Sequence, residues 1–332
     1  MPREPDPGGG VTVELSVIIP AFNRERTIGP TIESVRGCGV PAEIIVVDDG
    51  SKDRTVEVAR GYGVAVLQQP NGGPSPARNN GFRHSSGEVV AFLDSDDVWH
   101  PGVVPDALRM LRDYPAIDVL FCETLFGDEA TGYRELSDET GRGRFGDLLG
   151  KCLEPDLFAL DRDPFVRAML TRNQVFLGST LIRRSVLERE GVFDPALFGG
   201  EDYELCLRLS AACRFAFLAR PLARYEKHAG GLSANADRMS REFALTMRNM
   251  LARSDIFTPA EMAVVKQAHR DLSFQYAYLA YDRGDYAEAR RRFAARLRYG
   301  FSPKVAALWL ACRLPGGLVR RLRRAKQGAV AP

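Results

Sequence analysis

Val89-Val90-Ala91-Phe92-Leu93, followed at once by Asp94-Ser95-Asp96-Asp97, is the stretch on which the reading of this chain turns. An unbroken apolar run that opens on two valines reads as a strand buried on both faces. Three carboxylates in the next four residues repel one another unless a cation compensates them. A Ser/Asp turn ahead of a helix has an ordinary explanation as a cap. Such a density of hard oxygen ligands at a rigid strand end has another, a site for Mg²⁺ or Mn²⁺ facing a substrate diphosphate.

Outward from this stretch the pattern repeats. Leu15–Ile19 (LSVII) is a short β-rich run that meets Pro20-Ala21-Phe22-Asn23, and Glu43–Val47 (EIIVV) meets Asp48-Asp49-Gly50-Ser51. Between them, Ile28, Ile32 and Val35 give residues Glu25–Cys38 a helical spacing that stops at Gly37 and Gly39. A helix from Arg54 to about Arg60, a strand at Val64–Leu67, helices at Ala77–Ser85 and Pro105–Asp113 and a strand at Val119–Cys122 continue the alternation. The class predicted is α/β, with a mostly parallel, doubly wound sheet whose ligands bind beyond the carboxyl ends of the strands. Three consecutive strand ends carry polar clusters there: Ala21-Phe22-Asn23, Asp48-Asp49 and Asp94–Asp97.

Residues 124–165 show no clear period and read as a long excursion over the site. Beyond them the pattern predicts a strand at Gln174–Ile182, a helix at Arg184–Glu190, a loop at Phe193–Gly200, a helix at Asp202–Ala211 and a strand at Phe215–Ala223. From Arg238 onward the chain reads as helical. Further polar groups fall at breaks in this pattern. Gly72-Gly73-Pro74-Ser75-Pro76-Ala77-Arg78 is either a plain loop and helix start or a phosphate or nucleotide edge. Gly199-Gly200-Glu201-Asp202 is either a cap or a general base at a cleft, and His228 is either structural or part of that cleft. Neither GxxxxGK[ST] nor GxGxxG occurs, which disfavours a P-loop or a dinucleotide site.

The chain has 332 residues, 45% hydrophobic and 27% charged, which excludes wholesale disorder, collagen and coiled coil. Its net charge of +2 divides unevenly. Residues 236–332 hold 19 Lys+Arg and 8 Asp+Glu, so the remainder of the totals of 45 and 43 leaves an acidic body with a basic tail. A dedicated DNA-binding protein would be plainly basic throughout, and no nucleic-acid partner is expected. Six irregularly spaced cysteines without a CxxC pair predict reduced thiols rather than zinc or disulfides. Residues 1–13 read as a polar, disordered leader and not a secretory signal, and no apolar run approaches the roughly 20 residues that span a bilayer.

The segments LSVIIPAFNRE, IIVVDDGSKDRT, NGGPSPARNNG, VVAFLDSDDVW, GSTLIRRSVL, GGEDYELCLRL and YEKHAGGLS stand in the order seen in family 2 glycosyltransferases, which this chain resembles over about Glu14–Ser233. The resemblance implies a GT-A fold, Rossmann-like with a mostly parallel central sheet flanked by helices, over residues 14–235. A helical, basic region fills 236–332. It implies metal-dependent, inverting transfer of a sugar from a nucleotide-diphosphate donor to an acceptor hydroxyl. Pro20, Phe22 and Glu25 would line the nucleotide pocket. Asp49, supported by Asp48, would bind the base, and Arg78 and Ser95 belong to the same donor site. Asp94 and Asp96 match the metal-binding DxD, with His228 approaching the metal or diphosphate. Asp202 matches the catalytic base, with Glu201 its neighbour. No QxxRW segment follows, which separates the chain from the family's processive polymerases.

Two rivals stand against this reading. A catalytically inactive sugar-nucleotide binder would keep the same pocket. A nucleotidyltransferase would share the α/β architecture, but PAFNRE stands where its Gly-rich loop belongs. In the tail, Tyr276–Tyr299 resembles a tetratricopeptide-like hairpin with Gly284 in its turn. Residues 303–326 interleave Val305, Leu308, Trp309, Leu310, Leu314, Leu318 and Leu322 with arginines and Lys326, the pattern of either a solvated basic helix end or an interfacial helix on anionic lipid. The expected setting is cytoplasmic, peripheral at the inner face of the membrane. The expected acceptor is a glycan or lipid-linked acceptor of cell-surface polysaccharide or glycolipid synthesis.

Overall fold

β1, Leu15–Ala21, is the axis of the sheet because both of its faces are apolar: Leu15, Val17 and Ile19 point one way, Ile18 the other, and all four are buried. The computed structural model describes residues 14–128, 132–135, 148–226, 236–315 and 317–319. β1 pairs in parallel with β2 (Glu43–Asp48) and with β4 (Val89–Phe92), and β2 pairs in parallel with β3 (Ala65–Gln68). Beside β4 follow β10 (Thr180–Arg183), β6 (Val119–Asp128), β11 (Phe215–Glu226), β9 (Leu157–Leu160) and β8 (Leu149–Glu154). β5 (Val98–Trp99) pairs with β11, and β7 (Gly132–Glu135) with β6. β10 runs antiparallel to both β4 and β6, and β11 runs parallel to β6. Thus β1, β2, β4, β6 and β11 all open their carboxyl ends to the same side.

One face of the sheet is covered by α1 (Ile28–Arg36), α2 (Thr55–Gly61) and α4 (Val104–Asp113), whose Ile28, Ile32, Ala59 and Leu108 share a core with Leu15, Val17 and Ile19. The other face receives α3 (Pro74–His84). Gly81 of α3 lies so close to the sheet that a Cβ there would collide with Ile18 Cγ2 and stand 3.1 Å from Val47 Cγ2. α5 (Arg162–Thr171), α6 (Arg184–Glu190) and α7 (Glu201–Ala212) complete this part, and the Tyr203 hydroxyl ties α7 to the Met169 carbonyl of α5 at 2.8 Å.

The structure departs from the sequence pattern in three places. α3 begins at Pro74, ahead of the expected Ala77, because proline at the first helical turn gives up no needed N–H. The run expected as one strand over Gln174–Ile182 is divided. Leu177–Ser179 is a 3₁₀ turn, closed by the Ser179 and Thr180 hydroxyls donating to the Phe176 carbonyl at 3.1 and 2.8 Å, and only Thr180–Arg183 is strand. The aperiodic excursion over 124–165 holds the end of β6, then β7, β8 and β9. Its strands are short and half-exposed without clean alternation, so no period marks them.

The chain divides into two compact units, residues 1–229 and 230–332. The second is helical: α8 (Ala236–Ala252), α9 (Pro259–Asp282), α10 (Tyr286–Leu297) and α11 (Pro303–Ala311). Thr258 and Glu261 form a reciprocal capping box on α9, Asp285 caps α10, and Gly284 makes the turn between them at φ +85°. Among the described residues no helix is long and apolar enough to cross a membrane. All six cysteines are free.

Candidate active site

The strand ends are stitched together by the residues that leave them. The Asp49 amide donates to the Ala21 carbonyl at 2.8 Å, and the Leu93 amide to Ile18 at 3.0 Å. Asn23, at φ +53°, receives the Lys52 amide on its Oδ1 at 2.8 Å and gives its own amide to the Ser51 hydroxyl at 2.8 Å. Asparagine tolerates the left-handed backbone that this clasp requires.

The acidic stretch after β4 is held from both sides of the sheet. Thr31 of α1 donates to the Asp97 carbonyl at 2.8 Å, Ser34 accepts the Trp99 amide at 3.0 Å, and the Trp99 indole donates to the Gly178 carbonyl at 2.7 Å. Ser95 and Asp97 are buried, while Asp94 and Asp96 keep 45% and 22% of their side chains exposed. Each exposed carboxylate meets a guanidinium: Arg78 on Asp94 at 2.6 Å and Arg24 on Asp96 at 3.2 Å.

Arg78 also binds Glu201 at 2.6 Å, so one side chain of α3 bridges the strand end to the start of α7. It is only 4% exposed and lies over the Phe193 ring. Burial opposes its charge, but Asp94 and Glu201 outweigh that and hold the guanidinium protonated. Helical spacing makes the bridge. Ser75, Arg78 and Asn79 share a face of α3, and Ser75 and Asn79 bind the backbone of Leu197 and Phe193. Gly199 and Gly200, at φ +121° and +87°, then turn the chain so that α7 begins on Glu201 and Asp202.

Glu201 is fully engaged, with Arg78 on one oxygen and the Gly199 amide on the other at 2.9 Å. Asp202 is half-buried and has no such guanidinium bond among the contacts described. Burial first, then the charge of Glu201, raises its pKa to about 6, against the pull of Arg78. Tyr225 at the end of β11 titrates above the ordinary tyrosine range, through burial and then the charges of Asp97, Asp96, Asp94 and Asp202. The geometric link between the DxD stretch and the start of α7 is Arg78, which holds Asp94 on one side and Glu201, the neighbour of Asp202, on the other.

The remaining expected residues are distributed around this bridge. Phe22 is exposed and Pro20 half-buried. Glu25 accepts the Arg54 amide at 3.1 Å and so braces the start of α2. Asp48 is buried and accepts the Ser51 amide at 3.2 Å. Both oxygens of Asp49 are used within the protein: Oδ1 accepts from Gln69 and the Gly72 amide at 2.8 and 2.9 Å, and Oδ2 from the Gly73 amide at 2.7 Å. In this state Asp49 anchors the loop that leads into α3. His228 lies outside the described residues. Among the described residues no three His, Cys, Asp or Glu side chains form a metal cage. The sequence pattern assigns no role to Arg24, although it adjoins Asn23, nor to Tyr225, although it stands within the YEKHAGGLS segment.

Fold and site together define a glycosyltransferase with the GT-A fold. Residues 16–167 match the family profile described as Glycosyl transferase family 2. It is 27% identical over 265 residues to an uncharacterized glycosyltransferase of Rickettsia prowazekii, covering 78% of this chain and 77% of that protein. It is 29% identical over 211 residues to the succinoglycan biosynthesis protein ExoU of Rhizobium meliloti, covering 60% and 57%. Among solved structures, S. aureus TarS in complex with UDP-GlcNAc superposes with a TM-score of 0.62 at 20% identity, covering 90% of this chain and 84% of that one. The mannosyltransferase PcManGT of Pyrobaculum calidifontis with GDP-Man and Mn²⁺ gives 0.53 at 18% identity, covering 92% and 80%.

Proposed function

We propose that the protein moves a sugar from a nucleotide-diphosphate donor to an acceptor hydroxyl, inverting the anomeric carbon with the help of a divalent cation. The observation that supports this reading is the bridge by which buried Arg78 ties Asp94, at the carboxyl end of β4, to Glu201, the neighbour of Asp202 at the start of α7. The donor base lies against exposed Phe22 and Pro20 and the rim built by Asp48, Asp49 and the loop that Asp49 holds. Buried Ser95 fixes the backbone between the two DxD carboxylates.

The DxD carboxylates fit Mg²⁺ or Mn²⁺. They are hard oxygen donors, half-exposed, and each already faces one positive charge. Two protein carboxylates with the remaining positions left to substrate phosphates is a usual arrangement for such an ion. Asp94 and Asp96 would hold it, with His228 as a further candidate. When bound, the cation supplies charge neutralisation at the leaving diphosphate. Arg78 keeps both Asp94 and Glu201 oriented beside Asp202. Asp202, with its pKa raised to about 6, is ionised at neutral pH and basic enough to take the acceptor's proton as the hydroxyl attacks C1 from the opposite face. Each step is a single displacement, so no covalent sugar-enzyme species is needed.

The likeness to a succinoglycan biosynthesis protein supports a glycan or lipid-linked acceptor of cell-surface polysaccharide or glycolipid synthesis. The 12 Lys+Arg within residues 288–332, against a single acidic residue, support a peripheral position on the anionic inner face of the membrane. A thermal-shift panel of UDP-, GDP- and dTDP-sugars with Mn²⁺ or Mg²⁺ tests the donor reading, followed by NMR of the product anomer. One donor that stabilises the protein only with metal and yields the inverted product is expected. Retention, or stabilisation without turnover on any acceptor mixture or water, would overturn it; the latter outcome is that of an inactive binder.

A further inference from the structure

α11 is apolar on every side. Val305, Leu308 and Trp309 pack with Ala277, Tyr281 and Phe293 in the core of the second unit. The opposite side presents Ala307 and Leu310, both exposed, and Lys304 is the only charged residue among the nine of the helix. A helix that is hydrophobic all round is ordinarily a buried one. Further exposed apolar side chains stand just before and after the helix. Phe301 before it is 80% exposed, Leu310 is 53% exposed, and Leu314 and Leu318 after it are exposed as well. Single exposed leucines need no explanation, but this density within 18 residues does.

The charge around this surface selects its occupant. Residues 289–332 hold 12 Lys+Arg and no Asp or Glu. Two copies brought together on such a face would repel, whereas anionic phospholipid headgroups are complementary to it. Lys304 and Arg313 set their charged ends over the rings of Phe274 and Trp309 at 4.7 and 4.1 Å, so both cations stay on the surface of the segment that carries the exposed leucines. The expected continuous helix over 303–326 is not what carries the surface. α11 ends at Ala311, Trp309 turns inward, and Leu310, Leu314 and Leu318 are displayed on separate short segments. We propose that Phe301, Leu310, Leu314 and Leu318 form a bilayer-insertion face that seats the second unit on anionic phospholipid. This rests on the proposed membrane position and adds to it which residues enter the lipid.

The test is co-sedimentation of the full chain with sucrose-loaded vesicles of phosphatidylcholine, with and without phosphatidylglycerol. Wild type is expected to sediment with the phosphatidylglycerol vesicles and to be released by salt. The double variant Leu310→Gln/Leu314→Gln is expected to partition about tenfold or more weakly. Both leucines are exposed, so an unchanged melting temperature and unchanged donor hydrolysis are expected of that variant. Wild type that ignores phosphatidylglycerol would overturn the membrane position itself. Equal sedimentation of wild type and variant would overturn only this face. A lipid-free, concentration-dependent dimer that the variant abolishes would assign the face to a second copy and overturn the proposal.

Discussion

Replacing Asp202 by Asn removes one charge from the first turn of α7 while nearly preserving its volume and one acceptor oxygen. The Asp202 carboxyl titrates at about 6 in place of an ordinary 3.8, because burial and the charge of Glu201 penalise the anion. Between those values the folded protein holds a proton that the unfolded chain has released. Stability contributed by this site is therefore greatest below 3.8, falls as pH rises, and is lost above about 6. Each tenfold is about 1.4 kcal/mol, so the ionised carboxylate costs at most about 3 kcal/mol, and less to the extent that water reaches its half-buried edge. Asn escapes this cost. We expect Asp202→Asn to be more stable than wild type by about 1–3 kcal/mol at pH 8, shrinking to about a third of that at pH 4.5. Transfer should fall by about 10²–10⁴-fold, with donor binding nearly intact. The stability arm is measured by urea unfolding in a Trp309→Phe background, where buried Trp99 alone reports on the first unit. A variant destabilised equally at both pH values would refute the buried-charge argument, and full transfer activity would remove Asp202 from the role of base.

Three further outcomes follow from the same geometry. Arg78→Met leaves two carboxylates without the guanidinium that spans them at 2.6 Å, and should cost about 3–5 kcal/mol in urea unfolding; adding Glu201→Gln should recover part of it, and no recovery would mean that the bridge does not carry the loss. Gly81→Ala places a methyl against Ile18 and should cost about 1–3 kcal/mol with an unchanged denaturant slope, a result refuted by a midpoint equal to wild type. EDTA should abolish transfer and Mn²⁺ restore it. Asp96→Asn should raise the half-saturating Mn²⁺ concentration by about tenfold or more, and an unchanged Mn²⁺ titration would exclude Asp96 as a ligand.

The parts that sequence reveals and the parts it hides differ in range. β1, β2 and β4 announce themselves because runs such as LSVII are apolar on both faces, and that property is local. The clusters at Asp48-Asp49 and Asp94–Asp97 are visible for the same reason, since parallel strands put consecutive polar ends on one side. β7 to β9 are short, half-exposed strands, so no apolar run marks them in the sequence. What joins the site is not local at all. Arg78 and Glu201 are separated by 123 positions, and Asp49 meets the Gly73 amide across 24. Motif positions mark Asp49, Arg78 and Glu201 as functional, but only the fold shows that each is occupied by another part of the same chain. This changes how the acidic strand end is to be understood. Its carboxylates do not form a vacant cage: Arg24 stands against Asp96 and Arg78 against Asp94. Arg78 is buried and doubly held, whereas Arg24 is 43% exposed and joined to Asp96 by a longer contact. A surface ion pair of that kind is worth about 1 kcal/mol or less, so on the proposed reading a divalent cation at Asp96 would displace Arg24 at small cost while Arg78 would stay in place. If Arg24 and the cation compete for Asp96, Arg24→Gln should tighten Mn²⁺ binding to the nucleotide-free protein, as read by the Mn²⁺ electron paramagnetic resonance signal; weaker binding would mean that Arg24 supports the ion site rather than competing for it.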